Sequence, residues 1–348
     1  MARLTGADAK VGFKLGSAVG TAVAVGANDG LCHEGLSMSV GVERQEAASL
    51  GLGLSMLKDV KPGAKTYEPS ITTTPQFNCR EIGMIAAFMG DAVAGSEQTS
   101  GQGDYLHVLH FNKTRQFGTL AAEATSAKVI EFPSTYFKEL NLTPKGVPGY
   151  LQASFKMLAT SRVLNSSTNT NATIASNLTR PTDEQIEVLQ DADVWIGDAS
   201  GSALSSSNKV NIKSFNLTLT RDAAPANEIT GTNTDAAPID QGYFSGTLTL
   251  DLSGLDDFTW FDYANAETFL MAKIGFEGSQ IGTGDNRSFN IYLPRIKLVE
   301  DPKYDMNDAG FNPHNLTFEV LAAVSAPTGM SYTLPYFEVT NEFTGDYI

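Results

Sequence analysis

Four histidines, two cysteines and a scatter of carboxylates are the residues of this chain that could do chemistry. His107 and His110 stand three apart in DYLHVLHF, which reads as a β-strand. Residues i and i+3 of a strand point to opposite faces, so the two imidazoles cannot share a metal. DMNDAG from Asp305 begins like a calcium loop, with Asp305, Asn307 and Gly310 in place. Its fifth position is Ala309 and its twelfth is Leu316, where a bidentate Glu belongs, so the pattern fails where it should be strongest. GFEGSQIGTGDNRS, from Gly275 to Ser288, lacks the Gly-Lys-Ser/Thr of a phosphate cradle and leads into no helix, so it reads as a hairpin turn. Neither a Gly-x-Ser-x-Gly elbow nor a His-Glu-x-x-His occurs. Asp251, Asp256, Asp257 and Asp262 fall at a strand end and a helix start, where caps and helix-dipole partners explain them better than paired catalytic carboxylates do. Cys32 and Cys79 read as buried free thiols, the alternative being a single bridge between them. These residues make no case for an enzyme, a metal or a cofactor.

The elements that carry them are read from pattern and composition. At 348 residues, 42% apolar and 18% charged, the chain is of the folded class and long enough for two ordinary domains. A formal charge of −15 makes the chain a poor candidate for gripping nucleic acid, because that grip rests on Lys and Arg displacing counterions from phosphates. The N-terminus lacks an apolar run of signal-peptide length and no stretch approaches a membrane span, so a soluble protein made in a cytoplasm is expected. The Asn-x-Ser/Thr triplets at Asn165, Asn171, Asn177 and Asn315 then follow from composition rather than glycosylation.

The strongest strand signal is GYFSGTLTLDLSGL, where Phe244, Leu248, Leu250 and Leu252 alternate with Ser245, Thr247, Thr249 and Asp251. Its partner VNIKSFNLTLT, from Val210, changes phase between Ile212 and Phe215, which a one-residue bulge near Lys213 reconciles. A short helix over Asp256 to Tyr263, capped by Asp256 or Asp257 and carrying Phe258, Trp260 and Phe261, is expected to cover the apolar face. The two halves of the chain repeat this arrangement. Val23 to Gly26 matches Val194 to Gly197, Leu36 to Glu43 matches Val210 to Thr220, and the run around Tyr67 and Ile71 matches that around Tyr243 and Leu248. The helical run Arg80 to Met89, stopped by Gly90, matches the second helix. Pro133 matches Pro294 at an offset of 161, and Phe155 matches Phe318 at 163. A tandem duplication follows: a first domain with an N-terminal arm over 1–160, an Asn/Ser/Thr-rich linker over 161–193 with a helical turn near Asp183 to Leu189, a second domain over 194–324, and a C-terminal arm over 325–348. That apolar arm is expected to dock on its own domain or on a neighbour.

Two strands with a long intervening loop, a covering helix, and an apolar-Pro strand returning to a closing strand resemble the tail tube proteins of long-tailed bacteriophages. The resemblance covers most of residues 20–325 and is sharpest in VNIKSFNLTLTRDAAP, GYFSGTLTLDLSGLDDF and the segment from Pro294 to Ala322. It implies a mainly β fold of tandem tail-tube-like β-sandwich or barrel domains, each with a flanking short helix and long loop arms. It further implies homotrimeric, pseudo-hexameric rings that stack into a hollow tube conducting DNA without specific binding. The partners implied are the tape measure, terminator and distal tail proteins, the location is the virion, and no membrane is involved. Thr72, Thr73, Thr74, Ser245, Thr247 and Thr249 would line a polar, net-negative lumen. The loops Ala48 to Thr66 and Arg221 to Gln241, with Pro225, Asn227, Thr230 and Asn233, would reach the adjacent ring. The alternatives are another phage structural protein (a tail terminator, spike, adhesin or decoration protein) and a glycan-binding β module.

Overall fold

The computed structural model describes residues 9–47, 59–125, 128–146, 149–180, 182–226, 236–252, 254, 258–302 and 314–348. The architecture is mainly β: among the described residues sixteen strands join one branched antiparallel sheet, with four short α-helices packed on or beside it. In chain order, β1 (Val11–Leu15) pairs with β6 (Phe117–Thr125), and β6 with β7 (Lys128–Pro144). From there the pairing runs through β8 (Leu151–Ala159) and β3 (Asp59–Thr73) to β2 (His33–Ala47). The same path occurs a second time. β10 (Ala192–Asp198) pairs with β13 (Leu270–Gln280), then come β14 (Asn286–Leu298), β15 (His314–Val320), β12 (Ala236–Leu252) and β11 (Ile212–Ala226). The two sets meet where β11 pairs with β7, Leu217 opposite Leu142 and Thr220 opposite Glu139.

Register irregularities make the two sets comparable residue by residue. The β2–β3 register shifts between His33 and Gly35 and again between Val42 and Arg44, while the β11–β12 register shifts between Ile212 and Ser214 and between Arg221 and Ala223. The offset is the same at both places, 212 − 33 = 179 and 221 − 42 = 179, and the first of these is the bulge expected near Lys213. A 3₁₀ turn precedes each bulged strand, closed in one set by Asp29 accepting from Gly26 N–H at 2.7 Å and in the other by Asn208 accepting from Ser205 N–H at 3.0 Å. The register also corrects the sequence alignment. Ile71 and Leu250 occupy like positions, opposite Leu36 and Phe215, and Phe155 corresponds to Leu316 rather than Phe318. A slip of two keeps every side chain on its own face, so alternation alone cannot detect it. Val23 to Gly26 forms no strand. The counterpart of β10 is β1, as the bridges Gly12 to Gly30 and Trp195 to Lys209 require.

The core lies between two layers. Leu217, Leu219, Leu248, Leu250, Phe318 and Phe155 point inward from one, and Ile274, Phe276, Phe289 and Ile291 from the other, with Phe215 meeting Phe276 across the gap. α1 (Arg80–Met89) buries nine of its ten residues and ends at Gly90 in the left-handed region, φ 96°, as its sequence predicts. Its counterpart α4 (Thr259–Asn265) buries none and starts later than expected, with Phe258 at the N-cap, while Asp256 and Asp257 lie outside the described residues. The 161–193 stretch holds more structure than a linker: β9 (Val163–Leu164), α2 (Asn171–Asn177) and α3 (Val188–Asp191), with Ile174, Leu178 and Ile186 buried.

One addition breaks the repetition. A hairpin of β4 (Gly90–Glu97) and β5 (Tyr105–Phe111) follows α1, and the C-terminal strand β16 (Tyr336–Asn341) lies between β5 and β14. The two β5 histidines face opposite ways. His110 stacks on Tyr332, whereas His107 is fully buried against Phe343 and Tyr347 with Nε2 2.8 Å from the Phe343 carbonyl. Nδ1 of His107 is buried with no hydrogen-bond partner, and burial holds this imidazole below its ordinary value of 6.5, against smaller upward pulls from the Phe343 carbonyl and Asp346. The folded state therefore prefers His107 neutral. Its contribution is complete above pH 6.5 and is lost as pH falls through the lower folded value. Urea midpoints measured from neutral pH down to about 5 should fall, and His107→Gln should flatten that slope. An unchanged slope in the variant would assign the acid sensitivity elsewhere.

Candidate functional site

The feature that stands out is a face rather than a pocket. Eight strands in the order β2-β3-β8-β7-β11-β12-β15-β14 form a continuous sheet, and the side away from the core is polar across its width. One cross-strand row reads Gly35, Thr72, Ser154, Asn141, Thr218, Thr247, Glu319, Lys297, each opposite the next. The adjacent row reads Ser37, Ser70, Lys156, Glu139, Thr220, Ser245. Period-two alternation in every strand produces this, since each residue in a row flanks core residues along its own chain. Short side chains bond sideways: Thr72 Oγ1 lies 2.9 Å from Ser154 Oγ, and Asn141 Nδ2 donates to Asn216 Oδ1 at 2.6 Å and to Thr218 Oγ1 at 2.8 Å. Lys156 Nζ donates to Glu139 at 3.0 Å.

Of the residues expected on such a face, Ser245 and Thr247 are exposed on it and Thr72 and Thr249 are half-buried on it. Thr73 and Thr74 are not on it. Thr73 lies in phase with Ile71, is fully buried and donates to the Ala153 carbonyl at 3.4 Å, while Thr74 is buried past the strand end and donates to Glu34 Oε1 at 2.9 Å. Three consecutive strand residues cannot share one face. The expected net-negative charge is also absent from the two rows, where Glu319 and Glu139 are matched by Lys297 and Lys156; Glu68 and Asp251 lie toward the margins. Hydroxyl and amide groups dominate instead. Sequence reasoning placed residues of β3 and β12 alone on this face, although NLT from Asn141 and QASFK from Gln152 carry the same alternation.

The described parts of the loop arms are strand, while residues 48–58 and 227–235 lie outside the described residues. β2 and β3 stay paired from Arg44 opposite Pro62 to Ala47 opposite Asp59, and β11 and β12 from Ala223 opposite Asp240 to Ala226 opposite Ala236. Pro225 sits half-buried in β11 at a register shift, while Asn227, Thr230 and Asn233 lie outside the described residues.

The two ends of the polar sheet differ from its middle. At the middle, β11 is sealed: Leu217 and Leu219 are fully buried beside β7, and Arg221 donates to the carbonyls of Phe88 at 3.3 Å and Lys113 at 2.5 Å. Burial lowers Arg221 to about 10, so the guanidinium still enters this joint charged at neutral pH. The corresponding residues of β2 are Met38, Val40 and Val42 (217 − 179 = 38, 219 − 179 = 40, 221 − 179 = 42). Met38 and Val40 are half-buried and Val42 is 46% exposed, because β2 is the terminal strand of the sheet. From Gly35 to Val42 this edge carries neither charge nor proline, the devices that normally blunt an edge. Among the described residues no group of His, Cys, Asp or Glu could hold a metal, and no helix is long and apolar enough to cross a membrane. Compared with models of known protein families the chain matches none, and no curated protein matches it.

Proposed function

We propose that this chain is a structural subunit of a phage tail tube, in which three copies close a ring of six lobes and rings stack around a lumen lined by the polar face. The observation that carries the reading is the edge of β2, unpaired among the described residues, whose counterpart β11 is sealed against β7 within the chain. Repeating that joint between copies sets β2 of one against the end of β14 in the next, the counterpart of the end of β7 that receives β11. This contact is head-to-tail, and head-to-tail contacts either close into rings or run on as filaments. The duplication and the phage resemblance favour closure at three copies. A lining of Ser, Thr and Asn with paired charges offers no cluster of cations to hold phosphates, so DNA passes without being gripped. The partners and virion location follow from the same reading.

Negative-stain electron microscopy of the concentrated protein is the test. Hollow tubes built of rings with three-fold symmetry and six similar lobes are the expected result. Dispersed particles would overturn the reading, and single rings that never stack would shift it to a terminator or decoration protein.

A further inference from the structure

The outer layer differs between the two strand sets in a way the tube reading does not require. In the first set the outward row Gly12, Ala121, Glu131 is roofed by the chain itself. Ser166 and Asn169 donate to Glu131 Oε2 at 2.7 and 2.6 Å, and Ile174 and Leu178 are buried there beside Ala121. The corresponding row of the second set is Trp195, Lys273, Tyr292; Tyr292 stacks on Tyr336, and among the described residues no segment roofs the Trp195 end. In place of small and apolar residues it presents rings and polar groups. Lys273 Nζ lies 5.1 Å from the Trp195 ring centre and 5.3 Å from that of Tyr292. Beside Trp195 a depression of about 400 Å³ opens over Gly275, where a Cβ would stand 2.7 Å from Asn290 Oδ1 and 3.1 Å from the indole. Asp193, Glu277 and Asn286 rim it.

We infer that this depression binds a neutral, β-linked oligosaccharide chain laid across the strands. A partly buried indole offers its accessible edge and face to the C–H face of a pyranose, and carboxylate, amide and ammonium groups beside it pair with the sugar hydroxyls. The acidic rim, Asp191, Asp193, Glu277 and Asp285, disfavours phosphates and other anions. The depression lacks the continuous apolar centre that a protein partner needs. Strands about 4.8 Å apart present a new side chain of the row at each step along an extended sugar chain. The site lies in the layer opposite the polar face and binds whether or not the subunit polymerises.

The chain has two tryptophans, so Trp260→Phe leaves Trp195 as the sole reporter. Titration of that full-length variant with cellohexaose and with chitohexaose should give a saturable change in its emission for at least one of them. In calorimetry on the wild-type background, Trp195→Ala should weaken binding by at least about tenfold. Asn290→Ala should weaken it severalfold at an unchanged melting temperature, which separates loss of the site from loss of the fold. Absence of saturable binding of either sugar up to about 10 mM overturns the inference. Binding that survives both Trp195→Ala and Asn290→Ala overturns it equally.

Discussion

Met38→Lys should yield a folded protein that no longer assembles, whereas Leu217→Lys, the same change at the corresponding position of the second strand set, should yield no folded protein. Leu217 faces the core and is fully buried between β7 and β12, so substitution forfeits about 1.5–3 kcal/mol of side-chain burial and leaves an ammonium with no partner. Against a domain stability of about 5–15 kcal/mol it is the unpaired buried charge, far costlier than the lost apolar contact, that is decisive. Met38 occupies the equivalent place on a strand with a neighbour on one side only, and its side chain is half-buried. A lysine there runs its methylenes along the apolar surface and keeps its charge in water, so the isolated copy tolerates it. If a second copy covers β2 as β7 covers β11, the charge becomes buried at the joint, and each 1.4 kcal/mol of that penalty costs about tenfold in association. Sedimentation velocity, with circular dichroism as the control on folding, checks both halves. Tubes or rings from Met38→Lys at wild-type concentration would remove β2 from the assembly joint. A cooperatively folded Leu217→Lys would undermine the equivalence of the two strands.

How much of this was legible in the sequence depended on whether the information is local. Alternation in GYFSGTLTLDL places Ser245 and Thr247 outside and Leu248 and Leu250 inside, and the phase change at Lys213 locates a bulge, because both are written in neighbouring residues. α1 is legible for the same reason, with apolar spacing that ends at a glycine able to adopt the left-handed conformation. Thr73 and Thr74 were misplaced because a run of three threonines has no alternation of its own; only the phase set by Ile71 and the contact with Ala153 decide which face each takes. Pairing across long separations leaves no local mark. Nothing in LNL from Leu140 or in LTL from Leu217 records that they are neighbours, and nothing in HVLHF anticipates a strand from the far end of the chain. The polar face was therefore half visible, as separate alternating strands, and its continuity was not.

Ending the chain at Pro335 should abolish the native fold rather than trim an arm. β16 is an interior strand, with β14 on one side and β5 on the other, and Tyr336, Phe337 and Val339 are all buried to within 1%. Their burial alone is worth roughly 5–9 kcal/mol, comparable with the whole stability of a domain. Removal also strips the partners of buried polar groups: Asn341 Nδ2 donates to the Phe77 carbonyl at 2.7 Å, and His107 loses the Phe343 carbonyl at 2.8 Å. The strand ties the β4–β5 hairpin that follows α1 to the second strand set, so the chain holds its two sets together twice, once through β7 with β11 and once through β5, β16 and β14. The edge of β2 has only the first kind of joint to offer a neighbour. The two sets must therefore be locked within each copy before copies join, and a truncated chain should lose its cooperative thermal transition and recover it when residues 336–348 are supplied as a peptide. A truncated protein that melts cooperatively within a few degrees of the full chain would show that β16 decorates the sheet instead of completing it.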